Sequence, residues 1–470
     1  MKRPRYENLL IFLTSFLPLV GCGPKGAQSC DPASANSCPS GQVCELVTGG
    51  QPTCAEPLVV RGKVTDPSNA AIPNALVAAV DANDAPASGT ATTDASGNYE
   101  LRVPATRDAN GAVQSFQVKL RASASGYETF PTGLERSLPL PVSNATRNGG
   151  RLVFEGAGTT IILPPLSGGA SGLGSIAGTV RAGAGRSGAL IVAEGPSTLT
   201  TTSDIDGSYI LFNVPPGSYT VRGYAAGLQL ASANATVTAN NRSSGVDLTP
   251  TQTQLGSVAG TVNIVAAPGG SVTSVVLVVE STFNDTLGRG AVPPGLRAPK
   301  NGAPNISGAF TITDVPDGRY VVLAAFENDA LVRDPSTIGG TQIQRVTVDA
   351  SNRNVAAGNF KVTAALAVVS PGASDAPDTV TGNPTFVWAD GPGEEHYSID
   401  VFDSRGNIIW TDAAVPKVTG NPEVRVTYPG PPTAPALVPG QLYQFRAISY
   451  DVSNAPLSAT EDLRGVFIAN

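Results

Sequence analysis

The sequence predicts an all-β protein: tandem antiparallel β-sandwiches behind a small disulfide-rich N-terminal module. Three observations carry this. Short runs of alternating apolar and polar residues, bounded by Gly, Pro, Asn or Asp, fill most of the 470 residues, which include 52 Gly and 39 Pro. That is the pattern of short half-buried strands joined by tight turns. No long stretch keeps a helical period. A strand–turn–strand pattern returns three times between Glu56 and Ala365.

The chain opens with Lys2, Arg3 and Arg5, followed by an apolar run from Leu9 to Val20. Such a run fits the h-region of a secretory signal and is shorter than the ~20 apolar residues of a membrane-crossing helix. It ends Leu19-Val20-Gly21-Cys22, which resembles the lipobox of bacterial lipoproteins. The resemblance implies cleavage before Cys22, a diacylglycerol thioether on its sulfur and acylation of its amino group. Residues 1–21 are then a signal peptide, and the bilayer is a partner through acylated Cys22. Several acyl chains, at about 0.8 kcal/mol per buried CH₂, anchor a protein durably. Gly23 stands where an aspartate would resemble an inner-membrane retention signal, so the resemblance favours the outer membrane, with the domains in the periplasm or on the cell surface.

Residues 22–55 also hold Cys30, Cys38, Cys44 and Cys54, and no cysteine follows. An even, clustered set in an exported chain predicts two disulfides, with three pairings open. The stretch is too short to bury a core, so the bridges must hold it. "CPSGQVC" resembles the small Cys-rich modules near the N-termini of secreted proteins. Zinc is the alternative for four thiolates, but no histidine is near.

The three copies begin at Val59, Gly174 and Gly256. Each opens with a Gly-x-Val strand: Gly62-Lys63-Val64, Gly178-Thr179-Val180, Gly260-Thr261-Val262. Each then has a glycine turn feeding an aromatic-led strand: Gly97 and Tyr99, Gly207 and Tyr209, Gly308 and Phe310. In "TDASGNYELRV", Asp94 is placed to bond its own backbone two residues on, and Gly97 takes a positive φ at little cost. Asp206 and Gly207 repeat this. Tyr99, Leu101 and Val103 then share one face of a strand. "VPPGSY" and "VPDGRY" predict Pro-x-Gly turns at Gly217 and Gly318, with Tyr219 and Tyr320 starting the next strand. The third copy is looser. The glycine separation is 29 residues from Gly178 to Gly207 and 48 from Gly260 to Gly308. The strip Leu166 to Gly174, "LSGGASGLG", reads as a flexible linker between sandwiches that fold separately.

These motifs resemble carboxypeptidase regulatory-like domains, the transthyretin-like β-sandwiches appended to many exported proteins. The resemblance implies sandwiches at 56–166, 174–252 and, more divergent, 253–365, with a linker at 167–173. It is nearly silent on function. Residues 366–470 differ. Phe386 with Trp388, then Tyr397, Ile399 and Val401, alternate; Pro439-Gly440 turns the chain before Tyr443 and Phe445. This resembles the late strands of a fibronectin type III-like sandwich, with Trp388 and Trp410 filling its core.

The chemistry is sparse. A zinc carboxypeptidase needs His and Glu ligands, and the one histidine, His396 in "GEEHYS", makes neither a two-histidine site nor an H-E-x-x-H helix. A Ser-His-Asp site would rest on the same residue, with no G-x-S-x-G before a helix. His396 is read as a strand-edge surface residue. "DIDG" at Asp204 to Gly207 lacks the downstream Glu of a calcium loop and is already a turn. Asn144, Asn234, Asn241, Asn284 and Asn305 stand in Asn-x-Ser/Thr stretches that composition explains. Net charge is −7; without residues 1–21, three basic and one acidic, it is about −9, and no basic patch points to nucleic acid. The sequence thus reads as a non-enzyme without cofactor or metal, a scaffold or binding module for an envelope or extracellular protein. A carbohydrate-binding surface is the alternative, although aromatics are only 6%.

Overall fold

The structure, a computed structural model, describes residues 28–31, 37–114, 118–131, 137, 140, 142, 145–148, 151–166, 168–181, 188–265, 273–300, 306–326, 331–333, 343–374, 377–404, 406–461 and 464–470. The signal segment and Cys22 lie outside them, as do Asn144 and Asn305.

The N-terminal module contributes β1 (Val43–Val47) and β2 (Thr53–Ala55). Sandwich 1 has β3 (Leu58–Thr65), β4 (Leu76–Val80), β5 (Pro86–Thr92), β6 (Asn98–Val103), β7 (Thr106–Arg107), β8 (Lys119–Ser123), β9 (Thr146–Asn148) and β10 (Arg151–Ile162). Sandwich 2 has β11 (Gly174–Thr179), β12 (Leu190–Glu194), β13 (Thr198–Thr202), β14 (Ser208–Val214), β15 (Gly217–Tyr224), β16 (Ala233–Val237) and β17 (Arg242–Ser243). Sandwich 3 has β18 (Gly256–Val265), β19 (Thr273–Val279), β20 (Arg297–Ala298), β21 (Ala309–Val315), β22 (Gly318–Phe326), β23 (Leu331–Arg333), β24 (Gln344–Val348) and β25 (Asn354–Ala364). The terminal sandwich has β26 (Val368–Ser370), β27 (Asp378–Val380), β28 (Thr385–Ala389), β29 (His396–Asp403), β30 (Ile408–Pro416), β31 (Glu423–Thr427), β32 (Leu442–Tyr450), β33 (Pro456–Ala459) and β34 (Val466–Ala469).

The three copies share one topology. One sheet is β6-β3-β10-β9, β14-β11-β17 or β21-β18-β25-β23. In each, the Gly-x-Val strand pairs antiparallel with the aromatic-led strand and parallel with the last strand of the copy. The facing sheet is β5-β4-β8, β13-β12-β15-β16 or β20-β19-β22-β24. Alternation places Tyr99, Leu101 and Val103 in the core of sandwich 1, where Leu58, Val60, Val77 and Leu120 meet them. Tyr209, Leu211 and Val214 do the same in sandwich 2. The terminal sandwich sets β26-β28-β31 against β27-β34-β32-β29-β30, with β33 on β32. Phe386, Trp388, Tyr397, Phe445 and Phe467 fill it. Trp410 is only half-buried and packs edge-on against Tyr428.

The sandwiches are not independent, which corrects the expectation drawn from the linker. Leu190, Val192 and Tyr224 of sandwich 2 belong to the core of sandwich 3, with Val275, Leu277 and Tyr320. Both faces of β12 are therefore buried: Ile191 and Ala193 point into the sandwich 2 core. Ala85 of sandwich 1 packs with Val276, Val278, Val321 and Leu323 on the outer face of sandwich 3. Sandwich 1 also reaches sandwich 2, through Arg121 Nη2 donating to Thr200 Oγ1 at 2.7 Å. The terminal sandwich meets sandwich 3 where Leu287 packs on Phe402 and Arg446 donates to the Thr286 carbonyl at 3.1 Å. The Gly/Ser strip is likewise tied down. Leu166 N donates to Gly126 O, Gly169 N to Leu166 O and Asn240 N to Leu173 O, and Gly172 N donates to Asn240 Oδ1. Gly169 and Gly172 have φ of 67° and 85°; their glycines serve turns rather than slack.

Candidate functional site

The four module cysteines form two bridges, Cys30–Cys44 and Cys38–Cys54. Cys44 and Cys54 face one another across β1 and β2, yet each bonds to the preceding loop. This pins the chain at Cys30 and Cys38 to the hairpin. Bridges closing 14 and 16 residues contribute about 3 kcal/mol each in the chain-entropy account. Intact-mass analysis of a chain starting beyond Cys22 is expected to find no alkylatable thiol before reduction and four after it. Free thiols in the oxidised protein would contradict the pairing.

The module is docked, through a residue that sequence reasoning passed over. Glu45 is fully buried. Its carboxylate accepts from Ala105 N at 3.0 Å and pairs with the Arg107 guanidinium. Arg107 also donates to Glu56 O and Gly111 O. Beside this pair, β1 adds in parallel to β7. The signal was present in "VCELV": one acidic residue in a strand that buries it requires a partner.

The repeated Gly-x-Val and Gly-x-aromatic motifs prove to be two halves of one device. Gly62 lies opposite Tyr99, Gly178 opposite Tyr209 and Gly260 opposite Phe310. Each aromatic ring crosses over the bare glycine. A Cβ on Gly62 would sit 2.6 Å from the Tyr99 hydroxyl and run into Thr159 O; one on Gly178 would sit 2.9 Å from the Tyr209 hydroxyl and run into Val246 O. The hydroxyls reach those same carbonyls: Tyr99 donates to Thr159 O at 2.7 Å, and Tyr209 donates to Val246 O. Burial pushes both phenols well above their usual range, so they act as neutral donors. Phe310 has no hydroxyl, and a Cβ on Gly260 would meet its ring at 2.9 Å. Close backbone and ring approach, rather than turn geometry, explains these strand glycines.

At the turns, Gly97 and Gly207 have φ of 77° and 90°. Asp94 Oδ1 accepts from Ser96 N and Asn98 N, and the Asn98 amide holds its carboxyl below the usual range. Asp206 Oδ1 accepts from Ser208 N at 2.8 Å. Gly217 has φ 152° and lies against Pro196. Two glycines differ from expectation. Gly308 is not in the left-handed region, and nothing lies where its Cβ would point; the chain enters β21 from a bend instead. Gly318 begins β22 without a positive φ. Before that crossing between sheets, Asp314 takes the left-handed conformation (φ 61°), as Asn213 (φ 59°) does in sandwich 2. Gly318 is bare because a Cβ would meet the Tyr320 hydroxyl at 2.9 Å and the Tyr224 ring at 3.1 Å. Tyr219 and Tyr320 each donate to a proline carbonyl four residues back, Pro215 O and Pro316 O, at 2.9 Å.

The remaining candidates are absorbed by packing. His396 is not at a sheet edge: β29 lies between β30 and β32. It is half-buried and stacks on its cross-strand partner Tyr450, with centroids 4.9 Å apart and planes at 5°. Asp204 Oδ1 accepts from Ile205 N and from Thr90 N of sandwich 1, so that carboxylate faces amide donors. Among the described residues, the one close group of metal-ligating side chains is Cys30, Cys38 and Cys54, and those sulfurs are spent in the two bridges.

Residues 59–138 and 175–251 match the family model of the carboxypeptidase regulatory-like domain. The class is therefore an all-β chain of tandem sandwiches behind a disulfide-bonded module, with two segments that match this family model. The matched segments are sandwiches 1 and 2. No curated protein matches the chain. Among solved structures it is similar to chlorocatechol 1,2-dioxygenase from Pseudomonas putida, at 15% identity over 23% of this chain and 60% of that one, TM-score 0.17. It is also similar to the Bacillus anthracis TIE protein, at 10% identity over 80% and 62%, TM-score 0.16. A third is BcpA, the major pilin subunit of Bacillus cereus, at 11% identity over 65% and 99%, TM-score 0.17. The chain thus spans under two thirds of the first two. At these TM-scores the likenesses carry no functional weight.

Proposed function

We propose that this chain is a non-catalytic envelope lipoprotein, anchored through Cys22, whose packed sandwiches serve as a scaffold or protein-binding surface module. One observation carries the reading: the aromatic side chains are spent on packing. Tyr99, Tyr209, Tyr224, Phe310, Tyr320, Phe386, Trp388, Tyr397 and Phe445 are all buried. The exposed large hydrophobics among the described residues, Ile162, Val369, Ile408, Val438 and Val452, include no aromatic. Sugar sites stack their ligands on exposed rings, so this distribution favours protein contact over the carbohydrate alternative. The terminal unit is read as a fibronectin type III-like sandwich. Supporting this, Tyr443 near the start of β32 accepts from Val438 N at 2.9 Å, the placement of a tyrosine corner.

Some sheet edges are already occupied. The Thr200 carbonyl and hydroxyl of β13 face Arg121 of sandwich 1, and the pairing of β30 with β29 is broken at two points, which blunts that edge. Other strands also end their sheets, β16 and β24 among them, and such edges are surfaces that a partner strand can extend. The test is an envelope pulldown with residues 22–470 alongside a glycan array. Captured envelope protein with a blank array is the expected result; array binding without protein capture would reverse the assignment. For the anchor, alkyne fatty-acid labelling of cells is expected to mark the wild type and to be lost in Cys22→Ser. Equal label on both would remove the lipoprotein reading.

A further inference from the structure

Sandwiches 2 and 3 differ from sandwich 1 by one residue in the aromatic-led strand. In β14 the pairing with β11 jumps from Ile176↔Leu211 to Gly174↔Val214. In β21 the pairing with β18 jumps from Val258↔Ile312 to Gly256↔Val315. Two residues therefore oppose one, a β-bulge, and the second of the two is the left-handed Asn213 or Asp314. In β6 the pairing runs from Tyr99 to Val103 without interruption. "LFNVP" and "ITDVP" are answered there by "LRVP".

Both bulge residues meet the same feature of the preceding sandwich. Sandwich 1 ends its β8 with Ala124-Ser125-Gly126-Tyr127, and sandwich 2 ends its β15 with Ala225-Ala226-Gly227-Leu228. In each turn the fourth amide donates to the first carbonyl, and the glycines have φ of 87° and 81°. Gly126 N donates to Asn213 Oδ1 at 2.8 Å. The Asn213 amide group donates in return to Ala124 O at 3.0 Å and Tyr127 O at 2.8 Å. One level on, Gly227 N donates to Asp314 O at 2.8 Å. Here the acceptor is the backbone carbonyl: the Asp314 carboxylate pairs with Lys300 and accepts from Thr313 Oγ1 at 2.9 Å, and Ala226 N donates to Pro294 O. In sandwich 1, which lacks the bulge, the chain just past Pro104 is taken by the disulfide module: Ala105 N donates to Glu45 and β7 pairs with β1.

We infer that the bulge residue before the V-P crossing from one sheet to the other is an interdomain docking residue that reads the glycine turn of the preceding sandwich, and that its omission from sandwich 1 reserves that position for the disulfide module. The chemistry fits the task. Asparagine tolerates a positive φ and carries a donor and an acceptor side by side. A four-residue turn with a left-handed glycine offers one free amide between two carbonyls, which is the complement. The bulge turns the Asn213 side chain out of the sheet toward it, while at Asp314 it presents the backbone carbonyl.

Amide hydrogen exchange on the full chain tests this, using Asn213→Gly, which keeps the left-handed backbone without strain, and Asn213→Asp, which removes only the two donated bonds. The reporter is Thr90 N. It crosses the same interface to Asp204 Oδ1 and touches no mutated atom. Its exchange is expected to accelerate about ten- to hundred-fold in Asn213→Gly, which loses all three side-chain hydrogen bonds, and less in Asn213→Asp. Leu211 N in β14 and Leu120 N in β8 should exchange at wild-type rates. Unchanged exchange at Thr90 in Asn213→Gly would overturn the inference. Acceleration of Leu211 in step with Thr90 would overturn it equally, since Asn213 would then serve the fold of its own sandwich.

Discussion

Gly178→Ala is expected to destabilise sandwich 2 by about 2–4 kcal/mol, combining overpacking with the loss of one buried hydrogen bond. A single methyl has this effect because of what already occupies its place. The new Cβ would run into Val246 O and lie 2.9 Å from the Tyr209 hydroxyl. The Val246 segment is held against β11 by Val246 N donating to Ala177 O and Leu248 N to Thr179 O, so its carbonyl has little room to move, and the phenol that swings aside gives up its bond to that carbonyl. Gly62→Ala should behave alike in sandwich 1 through Thr159 and Tyr99. Gly308→Ala is the control: its Cβ points into open space without a positive φ, so it should stay within about 0.5 kcal/mol of wild type. Calorimetry of the three variants checks this. Equal stability of Gly178→Ala and Gly308→Ala would dismiss the ring-over-glycine account.

Truncating Tyr224 should affect two sandwiches at once. Removal of a buried aromatic costs roughly 3–5 kcal/mol, and this ring ends β15 of sandwich 2 inside the core of sandwich 3. It is 3% exposed, packs with Val275, Leu277 and Val322 and meets Tyr320 edge-on at 6.0 Å. In Tyr224→Ala, amides of β21 and β22 in sandwich 3 should lose protection together with those of β12 and β15. A loss confined to sandwich 2 would mean that the cores are separate. Tyr209→Ala gives the contrast. Its ring lies wholly within the sandwich 2 core, so its first effect should be local.

The sequence by itself determined the all-β class, the three-fold repeat, the aromatic-led strands and the disulfide module. These are local properties. Alternation, turn chemistry at Asp94-Gly97 and Asp206-Gly207, and cysteine clustering are each written within a few residues. It did not determine the pairing of four cysteines, because loop closure at 14 and 16 residues differs little in entropy from the alternatives. It also misassigned two glycines, since Gly308 and Gly318 occupy the same letters as true turn glycines. Only the surroundings distinguish a left-handed residue from one kept bare by a neighbouring ring.

What the tertiary structure alone decided is how the units meet. "ALIVA" and "VVLVV" are apolar without interruption, which marks strands buried on both faces but names no partner for the second face. That partner is another sandwich, set by residues far along the chain: Val192 with Val275, 83 positions on, and Ala85 with Val276, 191 positions on. Burial of Glu45 was likewise decided by Ala105 and Arg107, sixty residues further along the chain. Packing between domains depends on which surfaces remain after each sandwich has closed its own core. Those surfaces exist only once the chain has folded.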